Sequence, residues 1–272
     1  MANQDKPPVY TFHFFPFSLY SLMVRFGFVL GDHLNPGTAP TILIRLVNLQ
    51  TKENLSEPYL TRISPKGQVP VLTSPALTVP IDESHDISKW LCHQQPELLP
   101  EQHRERIDHL LGKLYDFQAT ALSITPDERS NGIPNQAAAL LENPALSTGH
   151  RRALEIKSVF HDSQYSRTVE PDNIAHVENQ ARDFMQGLAS ILQENSSGCK
   201  EWIFGNQPTI LDAHATVLAA RMMDLGRLDL VPDTVRAYAL SVMKLEVWEK
   251  VTHGRPTIWN ASLGPVADLN PL

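Results

Sequence analysis

The period of apolar and polar residues changes near residue 100, and the change divides the chain into two halves. Residues 9–14, VYTFHF, alternate and are rich in β-formers, which predicts a strand. The strand runs into FFPFSLYSLMVRFGFVL (14–30), where Leu19, Leu22, Met23, Phe26 and Leu30 fall on one helical face. Pro16 and Arg25 interrupt this run, and it is shorter than the roughly 20 apolar residues a bilayer demands. It therefore predicts a buried helix of a soluble protein, not a signal core or a membrane span. GDHLNPGTAP (31–40) predicts a loop, TILIRLVNL (41–49) a second strand, and residues 52–63 a short helix. VPVLTS and LTVPI predict two short strands joined by a tight turn around Pro75. SHDISKWLCHQ then places Ile87, Trp90 and Leu91 on one helical face. The order strand–helix–strand–helix–strand–strand–helix is a βαβ unit followed by a hairpin and a covering helix.

Beyond Glu101 the strand signals nearly vanish. Stretches of helical period at 101–119, 151–165, 172–194, 210–225 and 233–253 predict an all-helical half. HQQPELLPE (93–101) has the composition of a linker. Residues 123–149 carry turn residues and predict a long loop or short-helix insertion. The expected domains are 1–93 and 102–272, joined by 94–101.

Composition narrows the classes of function. Apolar residues at 42% and charged residues at 19% describe a globular chain. A net charge of −7, with no clustered Lys and Arg, argues against a nucleic-acid partner and against a polybasic membrane patch. Cys92 and Cys199 fit no metal spacing and cannot staple a secreted scaffold, so a reducing, cytoplasmic location is expected and no metal. GxSxG, P-loop, GxGxxG and HExxH motifs are all missing, which removes the common hydrolase, NTPase, dinucleotide and zincin readings.

Three spaced features remain. SPKGQVPVL (64–72) sets Val69–Pro70 at the opening of a strand, where a cis X–Pro bond costs only about 0.5–1 kcal/mol. VPIDESHDISKWL (79–91) puts Glu83 and Ser84 where a strand gives way to a helix, a place that favours anions; Ser84 would also cap that helix. GNQPTILDAHA (205–215) spaces Thr209 and Asp212 as a capping box, a folding device.

Together these resemble the cytosolic glutathione transferases, and the resemblance covers nearly the whole chain. It implies an α/β thioredoxin-like domain with a mixed four-stranded sheet, followed by an all-α domain that shapes a second-substrate pocket. Val69 would offer its backbone to the cysteinyl unit of glutathione across a cis Val69–Pro70 bond, and Glu83 and Ser84 would hold the γ-glutamyl end. Gln68 is a further backbone contact, and Lys52 or Lys66 a partner for the glycyl carboxylate.

SLYSLMVR (18–25) is similar to the Ser-using, zeta-like classes, which include glutathione-dependent cis–trans isomerases. The resemblance makes Ser18 the thiolate stabiliser, with Ser21 second and Tyr20 a weaker third. The chain departs from the family pattern at Met23, where those classes carry a basic residue. It also has Phe15–Pro16 where Cys-type classes have Cys–Pro, so disulfide reduction is not expected. Phe15, Phe17, Tyr20 and Tyr115 are the candidate lining of the second pocket. Arg25 could equally be a structural ion-pair partner. His13, His85 and His214 read as structural, and neither cysteine looks catalytic.

The implied activity is addition of the glutathione thiolate to a small electrophile, with glutathione as substrate or cofactor and a homodimer as the family's habit. Cis–trans isomerisation of a conjugated, biosynthetic metabolite is the second outcome of the same first step. A non-catalytic docking module on this fold is the alternative of a different class.

Overall fold

The computed structural model describes residues 7–195 and 201–269. Strand β1 (Val9–Phe14) leads into helix α1 (Leu19–Leu34), then β2 (Thr41–Leu46), α2 (Glu57–Arg62), β3 (Val71–Thr73) and α3 (Ser84–Gln94). β1 is the central strand. It pairs in parallel with β2, from Val9 opposite Thr41 to Phe14 opposite Leu46, and antiparallel with β3, with Phe12 opposite Leu72. Phe12 and Phe14 are fully buried against Leu22, Phe26 and Leu30 of α1, as the alternation in one element and the helical stripe in the other require.

Two expectations are corrected here. The sheet among the described residues has three strands, not four. The segment expected as the fourth strand contributes a single bridge, Ile81 to Leu72, with both hydrogen bonds at 2.9 Å. The next hydrogen-bonded pairs would be Val79 with Ser74 and Glu83 with Pro70. The Ser74 carbonyl already accepts the Leu77 N–H at 3.1 Å, and Pro70 has no N–H while Glu83 already opens α3, so the ladder stops at one bridge. The loop expected at 31–40 is half helix, because α1 continues to Leu34 and stops at Asn35.

The second half comprises α4 (Arg104–Asp116), α5 (Pro126–Asn131), α6 (Gln136–Leu141), α7 (Thr148–Tyr165), α8 (Pro171–Glu194), α9 (Ile210–Asp224), α10 (Asp233–Val242) and α11 (Glu246–Thr252). Between α3 and α4 the chain makes two 3-10 turns, Pro96–Leu98 and Glu101–His103, with Leu98 buried.

α9 is buried all round from Ile210 to Met222 and packs directly against α1, so one apolar core runs through both halves. Gly27 lets the two helices meet: a Cβ there would lie 3.0 Å from Ile210 Cδ1 and 3.2 Å from Leu91 Cδ2. The Asp212 carboxylate, fully buried, accepts the N–H and the hydroxyl of Thr209, each at 2.7 Å, and also the Ile203 N–H and the Tyr238 hydroxyl. Arg25 ties α1 to α11 through the Lys250 carbonyl at 3.3 Å, with its guanidinium 4.9 Å from the Phe14 ring centre.

The 123–149 segment folds into α5 and α6. Ala137 of α6 joins Ala153 and Leu154 of α7 in a separate apolar cluster with Leu55 and Leu60, the latter on α2. The His150 side chain bonds the Leu55 carbonyl at 2.8 Å. The helical half thereby grips the first half a second time, on the side where the cleft opens.

Candidate functional site

The site is built around the start of α1. Ser18 is the N-cap of that helix, and its Oγ accepts the Ser21 N–H at 3.3 Å. Its hydroxyl hydrogen remains available to an acceptor in the cleft, beside the free N–H groups of the first helical turn. The chain is fixed just before it: buried Arg221 of α9 donates to the Phe17 carbonyl at 2.8 Å and to the Thr257 carbonyl at 2.6 Å. Burial lowers the Arg221 guanidinium to about 10, yet leaves it charged at neutral pH.

Val69 forms the floor. The Val69–Pro70 bond is cis, and Val69 precedes the first residue of β3 by two places. Among the described residues nothing takes the N–H or C=O of Val69. The turn before it is held firmly, by the Tyr59 hydroxyl on the Gln68 carbonyl at 2.6 Å and by Asn54 Nδ2 on the Gly67 carbonyl at 2.8 Å. Gly67 sits at φ +56°, where a side chain would be strained.

One end of the cleft carries Glu83 and Ser84. Glu83, not Ser84, is the N-cap residue of α3, and it makes no side-chain cap bond. Ser84 is therefore the first helical residue, with its N–H among those the helix leaves unsatisfied, which corrects the expectation that it caps α3. Lys66 pairs with Glu83 and, at 3.4 Å, with Asp82. Although burial pulls Lys66 down, these two carboxylates raise its pKa overall.

The cleft has two continuous lobes of about 520 Å³ and 490 Å³ that share Tyr20, Gln68, Val69, Thr120 and Tyr165. Ser18, Phe17, Asn54 and Lys157 border the first; Pro70, Glu83, Ser84 and Tyr115 border the second. Tyr115 is oriented from beneath. Its hydroxyl donates to His214 Nε2 at 2.9 Å, while His214 Nδ1–H donates to the Ile210 carbonyl at 2.8 Å. Burial lowers His214 to about 4 and raises Tyr20 to about 12, so both stay neutral. His85 stacks on Tyr115 with ring centres 4.6 Å apart, and the Tyr20 ring lies nearly parallel to Tyr115 at 6.1 Å.

The structure thus brings Ser18, Phe17, Tyr20, Gln68, Val69, Pro70, Glu83, Ser84 and Tyr115 to one cleft. Ser21 is fully buried, its hydroxyl has no partner among the described residues, and it does not border the cleft. Phe15 packs with Phe17, Val69 and Val266 in a cluster behind it. Lys52 is exposed, at φ +62°, and borders neither lobe of the cleft. His13 bonds Thr73 Oγ1 at 3.0 Å and is lowered to about 4 by burial and then Arg45. Burial raises the Cys92 thiol to about 12, which makes it inert as a nucleophile. Cys199 lies outside the described residues. Lys157, Arg221 and Asn54 were missed by sequence reasoning. Arg221 had a signal: between Asp212 and Asp224 it is the one charged residue in a run that is otherwise apolar apart from His214 and Thr216.

The chain matches no protein-family model and no curated protein. Solved structures do match. Glutathione transferase F7 from Populus trichocarpa aligns over 90% of this chain and 98% of its own, at 12% identity and a TM-score of 0.57. The holo form of maleyl pyruvate isomerase, a bacterial glutathione S-transferase of the zeta class, aligns over 92% and 99% at 17% identity and 0.54. A glutathione transferase family member from Pseudomonas fluorescens pf-5, with two glutathione molecules bound, aligns over 91% and 94% at 13% identity and 0.53. The chain has the fold of the cytosolic glutathione transferases. These likenesses span several classes and select none of them. Among the described residues no helix is long and apolar enough to cross a membrane, and no group of three potential ligands could hold a metal ion.

Proposed function

We propose that this chain binds glutathione in the cleft and activates its thiol for addition to a small electrophile. The unpartnered backbone of Val69, set between Ser18 and the Glu83–Ser84 end, carries the reading. A cysteinyl unit laid along Val69 completes one rung of sheet and brings its sulfur toward the start of α1. There the Ser18 hydroxyl donates to the sulfur and the helix dipole favours its negative charge, so the thiol ionises below its ordinary value near 8.5. Ser84 and the first N–H groups of α3 take the γ-glutamyl carboxylate, and Glu83 exchanges Lys66 for the ligand ammonium.

The thiolate then adds to the electron-poor carbon of the acceptor's double bond, and the π pair moves to the activating carbonyl and takes a proton from solvent. Tyr20, Tyr115 and Phe17 wall the acceptor. A stable adduct makes the chain a transferase. Rotation followed by loss of glutathione makes it an isomerase, a reading that the SLYS segment and the likeness to maleyl pyruvate isomerase support equally with the first step. Mass analysis of products formed with glutathione and an enone tests both. A product heavier by one glutathione supports transfer; an unchanged mass with altered double-bond geometry supports isomerisation; an unaltered substrate contradicts the activity.

A further inference from the structure

We propose that Lys157, supplied by the helical half, is the anchor for the glycyl carboxylate of glutathione. The inference rests on the glutathione reading above and deepens it.

The polarity of the cleft comes first. Glu83 and Ser84 stand at one end and Val69 in the middle, while Asn54, Gly67 and Lys157 stand at the other end. In γ-glutamyl-cysteinyl-glycine the cysteine is central. With the glutamyl end at Ser84 and the cysteine on Val69, the C-terminal carboxylate must reach toward Gly67.

Lys157 meets it there. The residue is only 7% exposed, and its stem runs so close to the turn that a Cβ on Gly67 would lie 3.3 Å from Lys157 Cδ. Gly67 thus serves two needs, a left-handed turn and room for this lysine. No carboxylate pairs with Lys157 among the described residues; its Nζ has the Phe160 ring, 5.1 Å from the centroid.

A desolvated ammonium without a counter-ion is costly, and burial lowers Lys157 to about 8. An arriving carboxylate offsets that cost. Other charged groups bordering this lobe are already engaged. Glu128 accepts the N–H and hydroxyl of Thr125, and Arg221 holds the Phe17 and Thr257 carbonyls. Lys66 stands at the far, glutamyl end, where Asp82 keeps it at 3.4 Å even when Glu83 turns to the ligand, and Lys52 lies outside the cleft. Lys157 therefore takes the part expected of Lys52. Because α7 is docked on α2 through Leu154 and Leu60, the anchor is held rigidly although it comes from the other half of the chain.

Calorimetric titration of the full chain with glutathione and with its glycyl monoester tests this, using wild type, Lys157→Met, Lys157→Arg and Lys52→Met. The expected result is that wild type and Lys52→Met bind glutathione about tenfold tighter than the ester, the effect of one charge-assisted contact. Lys157→Met should bind both ligands alike and weakly, and Lys157→Arg should regain part of the preference. Equal binding of acid and ester by wild type, a preference kept in Lys157→Met, or one lost in Lys52→Met would overturn the assignment. The wild-type comparison decides even if Lys157→Met fails to fold. Binding of neither ligand by wild type would instead remove the glutathione reading itself.

Discussion

Ser18 Oγ accepts the backbone N–H of Ser21 at 3.3 Å, so the residue that caps α1 also borders the cleft. The two duties separate in Ser18→Ala. Loss of the cap costs about 1 kcal/mol of stability, read by urea unfolding. Loss of the donor raises the pKa of the bound thiol by about one to two units, read from thiolate absorbance. Binding of an S-alkylated glutathione, which has no thiol to ionise, should be unchanged. A variant with an unaltered thiol pKa would remove Ser18 from the chemistry.

Arg221 reaches the same segment from α9. Its guanidinium satisfies the Phe17 and Thr257 carbonyls and Thr257 Oγ1, while Thr257 is itself held by Asp224 through its N–H and hydroxyl, both at 2.6 Å. Arg221→Met leaves these buried carbonyls without donors, at a cost of about 3 kcal/mol. The turnover number should fall more than affinity for glutathione, because Ser18 loses its fixed approach. An equally stable and equally active variant would contradict this positioning role.

The buried histidines set an acid limit. His13 and His214 are each lowered to about 4, by burial first, against an unfolded value of 6.5. The unfolded chain takes up protons as pH falls through 6.5 and the folded chain does not until about 4. Stability is therefore full above 6.5, declines between these values and levels off below them. The loss is at most about 3 kcal/mol per histidine. Urea unfolding across this range should give a shallower pH dependence for His214→Asn than for wild type. Parallel curves would show that His214 is not the neutral acceptor of the Tyr115 hydroxyl.

Gly27 is where the two halves meet. Gly27→Ala places a methyl 3.0 Å from Ile210 and 3.2 Å from Leu91. Better helix propensity would add stability of roughly 1 kcal/mol, whereas overpacking removes about 1–3 kcal/mol. The second effect wins because both neighbours belong to the continuous core. A melting temperature above wild type would show that Ile210 can move aside.

The parts of this site that lay within one local pattern were legible in the sequence. β1, the apolar stripe of α1, and Thr209 before Asp212 all depend on neighbours a few residues away, whereas the cis Val69–Pro70 bond was implied only by the family resemblance. The fourth strand failed because its partners on either side were lost: the Ser74 carbonyl turns back to the Leu77 N–H, and Pro70 has no N–H to give. α1 ran past its expected end because Gly31, a breaker by composition, gives room to Gln95; a Cβ there would sit 1.7 Å from Gln95 Oε1. Lys157 was illegible for a different reason. Within α7 it reads as one more helix-surface lysine, and only the docking of α7 on α2 buries it beside Gly67. Polar residues acquire such roles through contacts between distant segments, which carry no local period.

Calorimetric titration of the wild-type chain with glutathione near neutral pH tests the central claim most directly. One molecule bound per chain, with a Kd of about 1 mM or tighter and a marked loss of affinity in Ser84→Ala, is the predicted result. No heat of binding up to about 10 mM would contradict it and would favour a docking module that keeps the fold without the ligand.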